Sequence, residues 1–446
     1  MNPLIVIPTY ISARARRNSS GVVSTYDHAT PISQTGELPR LLQSLTKVTG
    51  AYNICILVSC DGPIEEQADA KVHVIAEQFP QLNIMVIGAN ELSLIQQRLD
   101  QLGTGRLQKE IGLVGYGAIR NLGLLVANAT NHDSVVFIDD DEVVEDPDFM
   151  KKAVYGLGKM TKKGTPILAK SGFYYNPKGE YTSSSEDKWY NKFWTQGKAF
   201  NEWIEGAMRG PRLSRSNHVC GGCLAIHREA FCRVAFDPWI ARGEDMDYML
   251  NMRMYGGDIW FDNQWSLHHL PPRNRISEGL RFKQDAYRWM YEFRKVEFSA
   301  SQIDLQRVTA DSLEPYPGPF LRPGIDKRIK RTARLRSIGS KDKAGYTQAA
   351  KAVSSEAAAY AERNCRKYFE FQFLWPEVMS RLTNDQVIQA ALLQSMRWRS
   401  SAAQNISAQV REAWVGTAGM QTAPEQPYNP QLDPGSTGEI RLNVAE

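Results

Sequence analysis

The 446-residue sequence lacks any long hydrophobic run. No stretch approaches the ~20 apolar residues that cross a bilayer. Residues 1–8 carry no basic region of the kind that opens a secretion signal. The sequence therefore predicts a cytoplasmic protein, with contact at the inner face of a membrane as a further option. The net charge of +4 is small for this length and argues against a nucleic-acid-binding protein.

Cysteine is sparse, with six in the chain. Cys220 and Cys223 form one CxxC pair, but no second pair completes a four-thiolate zinc site. The pair does not open a helix after a first strand, as a thioredoxin-type redox pair does. Without an export signal, reduced thiols are the default. We interpret the two residues as semi-buried side chains beside a glycine turn.

The first part of the chain alternates short apolar runs with helical segments. Strands are predicted at 4–7, 54–59, 82–87 and 135–138. Helices are predicted at 37–45, capped by Thr35, and at 65–78 and 118–127. This alternation predicts an α/β fold, a mostly parallel, Rossmann-like sheet flanked by helices. In such sheets ligands bind beyond the carboxyl ends of the strands.

After about residue 276 the pattern becomes helical. Further helices are predicted at 277–298, capped by Ser277, and at 344–373 and 385–398. The last ~30 residues are rich in Pro, Gly, Gln and Thr and are predicted to be disordered. We expect a catalytic domain at 1–275, a helical region with a basic linker at 276–414, and a disordered tail at 415–446.

The most informative motif is a run of carboxylates directly after the apolar strand at 135–138. Asp139, Asp140 and Asp141 are adjacent like charges, which is unfavourable unless a cation compensates them. In an extended segment Asp139 and Asp141 point to the same side. Two such carboxylates suit Mg²⁺ or Mn²⁺. The alternative is a solvated acidic turn before the next helix.

Two further features lie downstream. Glu244 and Asp245 follow a glycine at the start of a helical segment, where carboxylates are ordinary capping residues. His268 and His269 follow an apolar, aromatic segment, and either is a candidate metal ligand.

In this order the motifs resemble the family 2 glycosyltransferases of the GT-A fold. The similar segments are 6–10, 59–62, 115–123, the DxD motif at 139–141, the strand at 221–226, the ED pair at 244–245, and His269. The resemblance covers about residues 1–275. It implies nucleotide contacts from Pro8, Thr9, Tyr10, Asp61, Arg120, Asn121, Asp139 and Asp140. It implies metal ligation by Asp139, Asp141 and His269 or His268, and an acceptor side at Gly221, Gly222 and Cys223.

The resemblance also implies a reaction. A nucleotide-diphosphate sugar, with a slight preference for UDP through Asp61, would donate one sugar to a glycan, lipid-linked or protein acceptor, with inversion. Asp245 would be the general base, with Glu244 as the alternate. Mn²⁺ or Mg²⁺ would neutralise the leaving diphosphate. The QxxRW motif of processive polymerases is absent at its spacing after Gln284, which favours single additions.

Some features depart from that family or leave alternatives open. A long insertion carrying Arg14, Arg16 and Arg17 precedes the first helix. Residues 322–343 hold nine Lys or Arg against two Asp, and are either a membrane-contacting segment or a solvated linker or helix face. The sequence leaves the oligomeric state open, and an oligomer is one option. The competing functions are a nucleotidyltransferase, which should carry a glycine-rich phosphate loop, and a non-catalytic sugar-nucleotide-binding protein.

Overall fold

The computed structural model describes residues 1–13, 29–51, 53–183, 188–272, 277–403, 406, 408–415 and 444–445. The arginine-bearing insertion at 14–17 lies outside these residues. So does the tail predicted to be disordered, apart from 415 and 444–445.

The strands are β1 Pro3–Ser12, β2 Thr30–Pro31, β3 Asn53–Cys60, β4 Asn83–Ile87, β5 Ser134–Phe137, β6 Glu142–Val143, β7 Ala169–Tyr175, β8 Leu213–Arg215, β9 Leu224–His227, β10 Ile259–His269 and β11 Val444–Ala445. The helices are α1 Leu38–Leu45, α2 Glu65–Ala76, α3 Ala89–Gln101, α4 Tyr116–Ala129, α5 Phe149–Ala153, α6 Gln196–Arg209, α7 Arg228–Phe231, α8 Glu244–Met254, α9 Glu278–Ser299, α10 Ile325–Gly339, α11 Lys343–Ala352, α12 Ala358–Arg381, α13 Gln386–Ala403 and α14 Ala408–Val415.

These strands form one sheet in the order β11-β8-β10-β7-β9-β5-β1-β3-β4. β5, β1, β3 and β4 are parallel neighbours, and β10 is parallel to β7. β9 lies between β5 and β7 and is antiparallel to both. The predicted fold class, a mostly parallel α/β sheet followed by a helical region, is confirmed.

The central strands of the sheet are buried on both faces because runs such as 4–7 and 135–137 are apolar at every position. In β1, Leu4 and Val6 belong to the core that includes α4, whereas Ile5 and Ile7 belong to the core that includes α1. Side chains that alternate along a strand point to opposite faces, so one continuous apolar run supplies both cores. The carboxyl end of β1 is thereby fixed between two layers of helices.

The helical region is anchored to the sheet domain through a buried ion cluster. Lys295 of α9 lies 2.7 Å from Asp237 and 2.8 Å from Asp247 of α8, and all three side chains are fully buried. Tyr291 donates to Asp237 at 2.8 Å. Such a cluster is stable only when every charge keeps its partner, which fixes α9 directly behind α8.

Several predicted elements need correction. Thr35 does not cap the first helix: Glu37 occupies the N-cap, and the Thr35 hydroxyl donates to the carbonyl of Ala413 at 3.2 Å. Ser277 does cap α9, as predicted, by accepting from the Leu280 N–H. The helix predicted at 344–373 is divided into α11, a π-helical turn at Val353–Ala357, and α12.

The basic segment at 322–343 is mostly helical, because α10 spans Ile325–Gly339. Two of its arginines face the protein: Arg328 lies over the Phe320 ring at 4.7 Å, and Arg336 lies over Phe282 at 4.6 Å. Its contact with a membrane stays a prediction. Within the described residues, no helix has the length and apolarity that a bilayer crossing requires.

Candidate active site

A cleft of about 830 Å³ lies at the carboxyl ends of β1 and β5. Its lining combines residues 8–10 at the end of β1, residues 139–142 after β5, the start of α4, the turn at 219–222 before β9, and the start of α8. Side chains of α9 and α10 also reach it. The sheet topology therefore collects motifs that are more than 200 positions apart in the sequence.

The acidic run after β5 is a turn rather than an extended segment. The Glu142 N–H donates to the Asp139 carbonyl at 3.2 Å, and the Glu142 carboxylate accepts from the Asp139 N–H at 2.9 Å. The side chains in this turn do not alternate as they would in a strand, so alternation does not put Asp139 and Asp141 on the same side. Asp139 is 41% exposed, whereas Asp141 is 3% exposed. Asp140 is turned to Thr9, whose hydroxyl donates to it at 2.6 Å.

The electrostatics of this turn favour a positively charged ligand. Desolvation within the cleft raises the pKa of Asp139, although 41% of its side chain stays accessible. The neighbouring carboxylates of Asp141 and Asp140 raise it further, against the opposing charge of Arg120. Burial also raises the pKa of Glu142 well above its usual range, again with help from Asp139 and Asp141. The turn therefore holds more negative charge than its surroundings balance.

The two histidines at the end of β10 point in different directions. The His269 Nε2 lies 3.0 Å from the Asp141 Oδ2 and lines the cleft. The His268 Nε2 lies 3.3 Å from Glu145 and does not line it. Successive residues on a strand face opposite sides, which separates the two candidates.

Carboxylate and imidazole donors suit a divalent ion such as Mn²⁺. Asp141 and His269 already meet at 3.0 Å, and Asp139 opens onto the same cleft. The donor types and the excess negative charge of the turn fit such an ion. Among the described residues, however, no three His, Cys, Asp or Glu side chains are arranged to hold a metal. The Asp139 carboxylate faces Arg120 at 3.1 Å. The predicted ligand set stays a prediction.

Arg120 connects the two acidic motifs. From α4, its Nη2 lies 3.1 Å from Asp139 and its Nε lies 2.9 Å from Glu244 at the start of α8. Burial raises the pKa of Glu244 to about 7, and Arg120 opposes that shift. Glu244 is thus committed to a buried ion pair. Both Glu244 and its neighbour Asp245 line the cleft, and Asp245 accepts from the backbone N–H of Gly221 at 3.1 Å.

Gly221 and Gly222 line the cleft at positions where a larger residue would not fit. A Cβ on Gly221 would lie 2.8 Å from the Arg120 Nη2, and one on Gly222 would lie 2.2 Å from the Glu142 carboxylate. The backbone of this turn therefore approaches both acidic motifs closely.

Besides His268, three further predicted site residues lie outside the cleft lining. Asn121 is fully buried and bonds to the backbone of Phe236, which is a structural role. Cys223 is buried in the sheet core, and like the other cysteines it is a free thiol. Asp61 accepts from the Tyr10 hydroxyl at 2.7 Å, and Tyr10 lines the cleft.

Sequence reasoning missed the side of the cleft built by residues 188–200, α9 and α10. Arg288 is one such residue: its guanidinium lies over Gly243, where a Cβ would come within 2.1 Å of it. Arg288 and Trp289 follow Gln284 one position beyond the spacing of the QxxRW motif, so no known motif marks them. The remaining residues of this side carry no local motif and come together only in the fold.

Comparisons with known proteins give distant structural likenesses. No family model matches the chain, and no curated protein matches it. A mannosyltransferase of Pyrobaculum calidifontis, solved with GDP-mannose and Mn²⁺, is 15% identical at a TM-score of 0.39, covering 88% of this chain and 87% of that one. A mycobacterial protein is 14% identical at a TM-score of 0.32, covering 64% and 74%. GalNAc-T7, solved with UDP, GalNAc and Mn²⁺, is 12% identical at a TM-score of 0.34, covering 80% of this chain and 58% of its own. Likenesses this distant carry no argument about chemistry.

Proposed function

We propose that the chain is a metal-dependent, inverting glycosyltransferase that moves one sugar from a nucleotide-diphosphate donor to an acceptor hydroxyl. The observation that carries the proposal is the meeting of two acidic motifs in one cleft. Residues 139–142 with His269 form one side, Asp245 lies on the other, and Arg120 joins them. Sugar transfer needs groups that bind the donor phosphates beside a group that accepts the proton of the acceptor hydroxyl.

The donor end is assigned to residues 8–10, Arg120 and the acidic turn. In the part of the chain that the structure describes, the buried Arg120 Nη1 has no hydrogen-bond partner. A buried guanidinium N–H left without an acceptor favours an anionic ligand, and a diphosphate oxygen supplies one. Tyr10 lines the cleft at the end of β1 and donates to Asp61 behind it, and we place the nucleoside there. A preference for UDP is part of the proposal.

A divalent ion would be held by Asp141 and His269, with Asp139 as a further ligand. Mn²⁺ or Mg²⁺ supplies positive charge that stabilises the departing diphosphate. The chain's own contribution is to hold the ligands in place. Glu142 fixes the turn through the Asp139 N–H, and Arg40 fixes the end of β10 by donating to the Leu270 carbonyl at 2.8 Å.

Asp245 is assigned as the general base. Its carboxylate is held by the N–H groups of Gly221 and Met246 at 3.1 and 2.7 Å, and it keeps further lone pairs towards the cleft. As the acceptor oxygen bonds to the anomeric carbon, the bond from that carbon to the diphosphate breaks, the diphosphate leaves with the electron pair, and Asp245 takes the hydroxyl proton. A single displacement of this kind inverts the anomeric centre.

The test is release of nucleoside diphosphate from UDP-, GDP- and dTDP-sugars by the full chain, with and without Mn²⁺. Asp245→Asn should lower turnover by about 10²- to 10⁴-fold, because a general base contributes about that much. Asp141→Ala should weaken Mn²⁺ binding, measured directly by electron paramagnetic resonance. Asp148→Ala is the matched control, because Asp148 is exposed and makes no side-chain cap at α5.

Retained turnover in both Asp141→Ala and Asp245→Asn would refute the proposal. If the unmodified chain binds the nucleotide sugar without turning it over, its function is that of a sugar-nucleotide-binding protein and not of an enzyme. Pyrophosphate formed from a nucleoside triphosphate and a sugar phosphate would identify a nucleotidyltransferase instead. Thermal unfolding of each variant separates a lost site from a lost fold.

A further inference from the structure

The cleft continues beyond the residues that the proposed reaction uses. Its far wall is built by residues 188–200, which run from a short 3-10 turn into α6, together with α9 and α10. This wall lies on the Asp245 side, because the Arg288 guanidinium of α9 would lie 2.1 Å from a Cβ placed on Gly243, two residues before Asp245. In the proposed reaction the acceptor occupies that side. The chemistry of the wall therefore bears on the acceptor.

The wall is strongly cationic. Outside the acidic motifs and Arg120, the described residues that line the cleft include seven basic side chains and one acid, Asp285. The basic side chains are Lys188, Lys192, Lys198, Arg242, Arg281, Arg288 and Arg336. This balance is far from that of the whole chain, which has 53 basic and 49 acidic residues. The excess is therefore a local property of the wall.

Some of that charge has a structural explanation, but not all of it. Arg288 pairs with the buried Glu292 at 3.1 Å, and Arg242 lies 4.0 Å from Asp285. Arg336 differs, because its Nε donates to the neutral amide of Asn191 at 2.9 Å. That bond positions the guanidinium without neutralising it. Arg336 and the exposed Lys192 thus bring positive charge to the cleft.

Aromatic side chains accompany these charges. Trp189 is 60% exposed at the cleft, and its ring packs edge-on against Tyr190 with 5.6 Å between centroids. Trp194, Phe200 and Tyr316 line the cleft further in. Burial lowers the pKa of His218 to about 4, so this neighbouring ring is neutral at physiological pH. An exposed aromatic face beside cations suits a ring that carries an anionic group.

We propose that the acceptor is a saccharide bearing a phosphate or a carboxylate, held by Arg336 and Lys192 with its ring against Trp189. This inference rests on the proposed function, because that function makes the bound saccharide the acceptor. The preference for an anionic saccharide can be measured without turnover. Guanidinium and ammonium groups form strong, charge-assisted hydrogen bonds with both anions. The anion on this wall would leave a sugar hydroxyl free to reach Asp245.

The test measures binding by the full chain with three probes: glucose 6-phosphate, glucuronate and glucose. Saturation-transfer NMR titrations are run with and without UDP and Mn²⁺, so that occupation of the donor end is controlled. We expect at least one charged probe to bind about 3- to 10-fold more tightly than glucose. Arg336→Gln and Lys192→Gln should each remove most of that advantage. Arg334→Gln, an exposed position on the same helix outside the cleft lining, should leave it unchanged.

The outcomes separate the two anions and the two proposals. Preference for glucose 6-phosphate alone identifies a phosphate-bearing acceptor, and preference for glucuronate alone identifies a carboxylate-bearing one. Equal binding of all three probes overturns the inference, as does an equal loss in Arg334→Gln. If UDP binds and nucleotide sugar is consumed while the preference is missing, this inference fails and the proposed function stands. If the preference is present but no nucleotide sugar is consumed, the proposed function fails and the binding preference stands.

Discussion

Removal of Arg120 tests the link between the two acidic motifs. Arg120 is 4% exposed and Glu244 is 6% exposed, and their atoms lie 2.9 Å apart. Breaking a buried pair by removing one partner costs about 3–5 kcal/mol, because the remaining charge stays buried. The contact to Asp139 adds less than about 1 kcal/mol, since that side chain is 41% exposed and screened by solvent. Arg120→Met should therefore lower the free energy of unfolding by about 3–5 kcal/mol.

The penalty should also depend on pH. Burial already raises the pKa of Glu244 to about 7, and Arg120 is the charge that opposes this rise. In Arg120→Met the carboxyl stays protonated to higher pH, so the native variant binds a proton that the unfolded chain releases. The loss of stability should therefore grow as the pH rises through about 7. Below that pH, protonated Glu244 avoids the buried charge and the loss is smaller.

Urea unfolding at about pH 6 and about pH 8 measures both effects, provided that the m-value is unchanged. The control is Arg120→Met combined with Glu244→Gln, which leaves no buried carboxylate and should recover much of the lost stability. A loss below about 1 kcal/mol in the single variant, or a loss that is the same at both pH values, would refute the reasoning. Equal stability of the single and double variants would refute it as well.

Two further predictions concern the same region. Gly222→Ala should displace the Glu142 carboxylate, since a Cβ there would lie 2.2 Å from it. The displacement should weaken Mn²⁺ binding, measured by electron paramagnetic resonance. The control is Gly62→Ala, where a Cβ meets nothing within 4 Å and Mn²⁺ binding should be unchanged. Burial raises the pKa of Glu292 to about 8, so the native chain holds a proton that the unfolded chain releases. The free energy of unfolding should then fall as the pH rises from about 5 to about 8, and Glu292→Gln should reduce that slope in calorimetric scans; an unchanged slope would contradict the assignment.

The sequence by itself determined four neighbouring parallel strands of the sheet, β1, β3, β4 and β5, although β1 runs on to Ser12 beyond the predicted 4–7. Runs such as 4–7 and 135–138 are apolar at every position, which is typical of a short strand buried on both faces. Because ligands bind where these strands end, the carboxylates of residues 139–141 marked one side of the cleft. The Ser277 cap of α9 was equally local, since it depends on a hydroxyl three residues before a backbone N–H.

Only the tertiary structure decided which side chains meet. Asp139 and Asp141 belong to a turn and not to an extended strand, and a backbone hydrogen bond from Glu142 fixes that turn. The alternation of side chains along β10 directed His269, but not His268, into the cleft. Glu244 and Asp245 both line the cleft, and Arg120 pairs with Glu244.

The far wall of the cleft depended on the tertiary structure most of all. Arg336 and Trp189 lie almost 150 positions apart in the sequence and carry no motif. They line the same cleft because the helical region packs against the sheet domain, with the buried Lys295 joining α9 to α8. Local patterns record how a segment buries its own apolar face. Contacts between distant segments depend on how those faces pack together, and no short window of the sequence contains that information.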